Sequence, residues 1–387
     1  MTKYIYYITM EGINSTVFKS QVYELLNSEL AKNFNITLIC FQPINIKWNN
    51  KIIKDVFYFN KISKFKLILI PYIGFKGKLS LINSFLALNV MTPKIFFKNN
   101  IILHCRAQEA TRIALLAKNI NKSIKIISDI RSVPYEELKD RNIKRAKYFK
   151  KLDEQIFNNK NIDYYNFISN KLREYYIEIY SQLKDKKSSI IPCFSSFTSE
   201  YNSKTKEREK ELNILYVGGQ QFYQNIDKIP SLLNKIKNKK KMLLCLSGER
   251  NKELENKFNE LGINNEFYYN LNSDELDKIY KKSDIGIVIR ENIPLNIVAS
   301  PVKISEYFSK GLYVMLIGKV GDFYNDIIKD NKLGIAYENI DTIESINLKE
   351  DIVYEQLNYR KEYANKFSKQ TCIDLYRKIY NEVSRNE

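Results

Sequence analysis

The sequence predicts an α/β protein built from two doubly wound, Rossmann-like parallel-sheet domains facing each other across a cleft. Three observations carry this expectation. Short apolar, β-rich runs alternate with helical stretches in both halves of the chain, which is the pattern of βαβ units. A polar stretch at 194–211 interrupts the alternation, and the alternation then restarts. The length of 387 residues suits two domains of about 150 residues or more each.

In the first half, KYIYYIT (3–9) reads as a strand and Phe18 to Lys32 as one amphipathic helix. NITLICF (35–41), IILHC (101–105), IKIISD (124–129) and YYNFIS (164–169) are further strands. Helices are expected from Gln108 to Asn121 and from about Asn170. FSSFTSEYNSKTKEREKE (194–211) lacks apolar periodicity and reads as a linker. Beyond it, LNILYVGG (212–219), KMLLCLSG (241–248), NEFYYN (265–270), DIGIVIR (284–290) and LYVMLI (312–317) are strands. The expected division is therefore 1–193, a linker at 194–211, 212–352, and a helical tail at 353–387 that packs back on the first domain. Ligands belong at the carboxyl ends of such strands, where the strand order reverses.

Composition narrows the function classes. The chain has 62 Lys and Arg against 44 Asp and Glu, a net charge of +18. Residues 1–195 hold 32 and 15 of these (net +17), and residues 196–387 hold 30 and 29 (net +1). A basic half attracts phosphates, nucleic acid or an anionic membrane surface. The basic residues follow no helix-turn-helix, RNA-recognition or zinc pattern, so no nucleic-acid partner is expected. Cys40, Cys105, Cys193, Cys245 and Cys372 are scattered and form no CxxC pair, which argues against a disulfide framework or a zinc site. No metal is expected. The opening MTKYIYYITMEG is too short an apolar run for a signal peptide, and no 18-residue apolar span occurs, so a cytoplasmic protein is expected.

The most informative stretch is SDIGIVIRENIPLNIVASPVKISEYFSKGLYVMLIGKVGDF (283–323). It reads as strand, loop, helix, strand. Ser300 is expected to cap the helix, with Pro301 in its first turn and Gly311 ending it. Lys303 and Glu306 lie three residues apart on one helix face. A helix N-terminus with Lys303 in its first turn and Arg290 at the preceding strand end suits a diphosphate, and Glu306 suits ribose hydroxyls. The competing reading is an ordinary capped surface helix.

With its strand order, this stretch resembles the GT-B glycosyltransferases, specifically group-1 or family-4-like retaining enzymes. ASPVKISEYFSKG is close to a subgroup form, ASPTKxxEYxxxG. The resemblance implies that Glu306 is the ribose-binding glutamate. The family's other glutamate falls at Val298 and is absent. The resemblance also implies a glycine-rich loop under the donor phosphates, matched by Gly218 and Gly219 in YVGGQQFYQN (216–225). Gln220 and Gln221 stand where an Arg is usual, so Arg290 and Lys303 are expected to supply the charge.

In the first half, MEGINSTVFKSQV (10–22) resembles the loop between donor and acceptor, with Gly12, Asn14 and Ser15 at its tip. An ordinary helix cap is the alternative. His104 lies within a strand and reads as a core residue, and Arg106 at the strand end is expected on the acceptor side. Asp129 and Arg131 either pair with each other or position an acceptor hydroxyl. The run 139–160, with Lys144, Arg145, Lys147, Lys150 and Lys151, is either a solvated helix face or a surface for anionic lipid, to which the apolar segment 66–90 contributes.

Taken together, the resemblance implies a retaining, metal-independent hexosyltransferase (EC 2.4). Its donor would be a UDP- or GDP-sugar and its acceptor a glycan or lipid-linked glycan in surface polysaccharide synthesis, at the inner membrane face. The alternatives are a non-catalytic glycosyltransferase-like partner, suggested by the missing glutamate and Arg, and a basic nucleic-acid-binding protein.

Overall fold

The computed structural model describes residues 3–43, 50–72, 82, 84–89, 91, 100–195, 197 and 211–385. The chain forms two compact units, Met1–Pro192 with Cys372–Glu387, and Cys193–Thr371. Most of the stretch read as a linker, and much of 66–90, lie outside the described residues.

The first unit holds a seven-stranded sheet of β1 (Tyr4–Thr9), β2 (Asn35–Pro43), β3 (Lys66–Tyr72), β4 (Ile101–Arg106), β5 (Lys125–Ile130), β6 (Tyr164–Phe167) and β7 (Ser188–Ile190). Their spatial order is β3-β2-β1-β4-β5-β6-β7, with every pairing parallel. Ile5 to Thr9 and all of β4 are buried, as expected of central strands covered on both faces. Two strands are additions to the sequence reading. β3 was read as part of an apolar surface segment; it is an edge strand, where Pro71 is tolerated. β7 is only Ser-Ser-Ile and has no apolar run to detect.

Helices α1 (Gln108–Ile120), α2 (Ile143–Phe157) and α3 (Asn170–Ile179) follow β4, β5 and β6. Asn142 caps α2 through Arg145 N at 3.1 Å, and Ser169 caps α3 through Leu172 N at 3.0 Å. The single helix expected from Phe18 to Lys32 is broken. A π-helical turn, Phe18–Tyr23, runs into Glu24–Leu26, and a short helix, Leu30–Asn33, follows. Ser28 Oγ accepts from Leu30 N at 3.2 Å, a local bond that competes with helix continuation.

The second unit holds β8 (Leu212–Gly218), β9 (Lys240–Leu246), β10 (Asn265–Tyr269), β11 (Ile285–Ile289), β12 (Tyr313–Ile317) and β13 (Gly334–Tyr337). The order is β10-β9-β8-β11-β12-β13, again all parallel. Apolar layers cover both faces of the sheet, one including Ile214, Met242 and Ile287, the other Leu215, Val288 and Leu316. The helices that matter below are α4 (Lys252–Glu260), α5 (Ser273–Lys282), α6 (Val302–Ser309) and α7 (Leu357–Ala364). β13 escapes sequence reading because it is four residues long and opens on Gly334, where a Cβ would strike the Val314 backbone.

The tail is divided between the units. Val353 and Tyr354 lie in the core of the second unit, with Ala364 in its other apolar layer. From Cys372 the helix Lys369–Val383 belongs to the first unit, burying Ile373, Tyr376, Ile379 and Tyr380 at helical spacing.

Candidate active site

In each sheet the strand order reverses next to the first strand, between β1 and β4 and between β8 and β11. These are the positions where an open α/β sheet leaves a crevice at its carboxyl edge. In the second unit, β8 and β11 pair at only two positions, Ile285 with Ile214 and Gly286 with Leu215. Tyr307 of α6 fills the gap beyond them. Its ring lies across Gly286, where any Cβ would collide with it. Its hydroxyl accepts from Val217 N at 3.0 Å and donates to Ile287 O at 3.3 Å, so the splayed backbone groups stay paired. Tyr307→Phe is expected to cost about 2–4 kcal/mol, because both groups lose their partner in a buried place. Denaturant unfolding checks this; a loss below about 0.5 kcal/mol would mean that water replaces the hydroxyl.

The turn after α6 explains how the helix is stopped. Leu312 N bonds Tyr307 O and Gly311 N bonds Phe308 O, each at 2.9 Å, with Gly311 at φ +78°. This is a Schellman ending, which requires the left-handed residue at Gly311. The helix start differs from the sequence reading. Pro301, not Ser300, occupies the N-cap position, and no side chain caps the helix. Ser300 is buried just before it. The first-turn N–H groups are thus left without a side-chain cap.

Lys303 in this first turn points beneath the loop that ends β8. Its Nζ donates to Gln224 Oε1 at 2.6 Å and lies 4.5 Å from the centre of the Tyr216 ring. A Cβ on Gly218 would collide with that ammonium, so glycine here makes room for the cation. The Tyr216 hydroxyl lies 2.7 Å from Gln224 Oε1 and 3.1 Å from Gly219 O. Gln224 Nε2 donates onward to Gln221 Oε1 at 2.6 Å, and the Gln221 side chain folds over Gly219. Gln220 turns the other way, to the carbonyls of Ser247 and Glu249 at 3.3 and 2.8 Å. The two glutamines that replace the expected Arg are therefore straps for the loop.

Arg290, at the end of β11, stacks 4.9 Å over Tyr223 and donates to Asn296 Oδ1 at 3.0 Å. Its Nε is buried with no partner. Among the described residues neither Arg290 nor Lys303 has a carboxylate within 4.0 Å. Burial, and then the charge of Arg290, push Lys303 well below its ordinary value, and burial lowers Arg290 as well. Two cations whose charges oppose each other, with no carboxylate in ion-pair contact among the described residues, form a site that an anionic ligand would relieve. Glu306, one turn on, accepts from Tyr280 OH at 2.9 Å, and burial pushes its carboxyl up to about 7, against the hydrogen bond from Tyr280 and the charge of Lys303.

The structure thus brings Gly218, Gly219, Arg290, Lys303 and Glu306 to one sheet edge. Tyr216, Tyr223, Gln224, Tyr280 and Asn296 are members that the sequence reading missed. Apart from Asn296, which lies six positions from Arg290, each acts through a neighbour distant in sequence, which no local spacing reveals.

The first unit is different. Asp129 is fully buried and takes bonds from Asn166 Nδ2 at 2.6 Å and Arg131 Nη1 at 3.3 Å, with His104 Nε2 3.5 Å away. Burial opposes its ionisation, but Arg131, His104 and Arg106 outweigh it and hold the carboxyl well below the usual range. Of the two readings of Asp129 and Arg131, the geometry shows the ion pair. Arg106 is buried too and pairs with Glu11 at 3.0 Å, so neither it nor Asp129 lies open. His104 is a core residue, as read from the sequence: it is fully buried, with Nδ1 2.6 Å from Tyr380 OH. Ser15 Oγ accepts from Phe18 N at 2.9 Å, the ordinary helix cap. Gly12 sits against Gln42, which accepts from Ile13 N at 3.0 Å, and Asn14 is exposed.

Two parallel doubly wound sheets in one chain, the second carrying an unpaired cation pair at its switch point, define a protein of the GT-B fold. Residues 197–370 match the family described as glycosyl transferases group 1. Solved structures agree on the fold. A glycosyltransferase from Rickettsia africae ESF-5 is similar over 100% of both chains, at 14% identity and a TM-score of 0.71. Anabaena HepE, solved in complex with UDP and glucose, is similar over 98% of this chain and 100% of that one, at 10% identity and a TM-score of 0.66. The lipopolysaccharide outer core galactosyltransferase WaaB is similar over 98% and 100%, at 14% identity and a TM-score of 0.65. No curated protein matches the chain in sequence.

Proposed function

We propose that the protein is a retaining glycosyltransferase that moves a sugar from a UDP- or GDP-sugar to a glycan or lipid-linked acceptor in surface polysaccharide synthesis. The observation that carries this reading is the pair Arg290 and Lys303, held beside Gly218 and Gly219 with no carboxylate within 4.0 Å among the described residues. The donor diphosphate lies there, against the uncapped start of α6, and Glu306 accepts from the ribose hydroxyls. As the sugar C1–O bond breaks, charge grows on the leaving diphosphate, and the same two cations stabilise it without a metal ion. HepE, whose solved complex holds UDP and glucose, supports the donor class. The basic first half of the chain supports an acceptor at an anionic membrane surface, and no described helix is long and apolar enough to cross a membrane.

The test is turnover of a panel of UDP- and GDP-sugars with excess chelator present, following the anomeric configuration of the product. Transfer with retention under chelator is expected. Turnover that needs added magnesium or manganese would overturn the metal-free reading, and inversion at C1 would overturn the retaining one. If no nucleotide sugar binds at all, the non-catalytic alternative stands.

Nucleotide affinity should also report the two shifted groups. Glu306 accepts from ribose as the carboxylate, so affinity should fall as the pH drops below about 7 and it takes up a proton. Lys303 binds phosphate as the ammonium, so affinity should fall again as the pH rises through its lowered value. Isothermal titration with UDP and GDP across pH 5.5–9 checks this. Glu306→Gln should bind more weakly and lose the acid limb alone. An acid limb that survives in this variant would assign it to another group.

A further inference from the structure

The helix Asn50–Ile62, which joins β2 to β3, presents an unusual face to solvent. Lys54, Phe57, Tyr58, Lys61 and Ile62 are exposed, at the i, i+3, i+4, i+7, i+8 spacing of a single stripe. Phe57 is 75% exposed, Tyr58 61% and Ile62 46%. The helix is seated by another residue: Phe59 packs edge-on against Phe18 at 6.4 Å and Tyr23 at 5.2 Å. A solvated helix carries polar residues on its outer stripe. This one carries two rings and an isoleucine between lysines, and Lys64 and Lys66 are exposed just beyond it. Residues 50–66 contain five Lys and one Asp.

The position of the helix separates it from the other basic element, α2. Right-handed crossovers put the β1–β2 and β2–β3 connections on one face of the sheet and the β4–β5 and β5–β6 connections on the other. The contact of Phe59 with Phe18 and Tyr23 agrees with this on the first face. A flat partner can therefore cover the helix Asn50–Ile62 or α2, but not both. The outer face of α2 carries Lys144, Lys147, Lys150 and Lys151, but no exposed aromatic ring. Tyr148 is tied to Glu109 at 2.6 Å and Phe149 is buried. Of the two faces, only that of Asn50–Ile62 joins cations to exposed rings.

We propose that the stripe Lys54–Phe57–Tyr58–Lys61–Ile62 is a docking surface for an anionic lipid leaflet. The rings and Ile62 enter the headgroup boundary, and the lysines pair with lipid phosphates. This rests on the proposed lipid-linked acceptor for its purpose, but its test does not. It also replaces α2 as the membrane contact.

The experiment is co-sedimentation of the full-length protein with vesicles of phosphatidylcholine alone and of phosphatidylcholine with 30% phosphatidylglycerol, at about 0.1 M salt. Three variants are compared: Phe57→Ser with Tyr58→Ser, Lys54→Gln with Lys61→Gln, and, on α2, Lys144→Gln with Lys147→Gln and Lys151→Gln. The wild type should partition at least about tenfold more strongly to the anionic vesicles. Each pair on the stripe should lower that partitioning by about tenfold, and the α2 variant should stay within about twofold of wild type. Wild-type binding by both stripe variants, or loss in the α2 variant alone, would overturn the proposal. So would a wild-type dimer in solution that the ring variant dissociates while vesicle binding is unchanged, because a second copy of the chain would then cover the stripe. Donor turnover with a water-soluble acceptor is measured in parallel. Its absence in wild type with vesicle binding intact refutes the enzymatic reading and leaves this one standing.

Discussion

Lys303→Met should lower kcat/KM for the donor by about two to three orders of magnitude while leaving the protein at least as stable as wild type. The first half follows from removing one preorganised cation from a growing diphosphate charge. The second follows from the ligand-free site. Lys303 is packed under Gly218 beside Arg290, with no carboxylate within 4.0 Å among the described residues, and burial and that second charge oppose its ionisation against the weaker influence of Glu306. Methionine keeps the length of the chain and removes the repulsion, so a melting temperature equal to or above that of wild type is expected. Arg290→Met should show the same pattern. The two losses should not add, because both cations meet the same charge. Unchanged turnover in both variants would remove them from the site. A lower melting temperature with unchanged turnover would make Lys303 a structural residue.

Arg360→Met should be the most destabilising single change considered, at about 3–5 kcal/mol. Arg360, on α7, is fully buried and has no carboxylate partner among the described residues. Its Nε donates to Gly311 O at 2.8 Å, its Nη1 to Lys332 O at 2.9 Å and Ile352 O at 3.1 Å, and its Nη2 to Val353 O. Burial pushes it down to about 10, with Tyr313 opposing, so it stays charged at neutral pH. The guanidinium closes the carbonyl end of α6 and ties it to the turn before β13 and to the short helix Glu350–Glu355. Methionine would leave four carbonyls without this partner, and lysine, with one nitrogen, should recover only part of the loss. In a unit of this size, a fall in melting temperature of roughly 10 °C is expected from thermal unfolding. A fall of less than about 2 °C would mean that water takes over the four carbonyls. The change should act on donor binding only through loss of the folded second unit.

The central strands were legible in the sequence because they are buried on both faces and must be apolar throughout. Ile285–Ile289 and Tyr313–Ile317 are examples. Helix α6 was legible because Lys303, Glu306 and Gly311 obey local rules of helix face and helix ending. The partners of those residues were not. Tyr307 closes a gap between β8 and β11 that exists only once the sheet has formed, and Gln224 reaches Lys303 across 79 positions. Arg106 looked available at a strand end, and the fold gave it Glu11 instead; of the two readings of Asp129 the fold shows the pair with Arg131. Edge strands β7 and β13 bury too little to need an apolar run. The sequence by itself determined the two-sheet architecture, the charge asymmetry and the cations of the candidate donor site, because burial and helix geometry act on neighbouring residues. Only the tertiary structure decided which charges are neutralised and which are left open, because a buried charge is satisfied by whatever group the fold brings beside it.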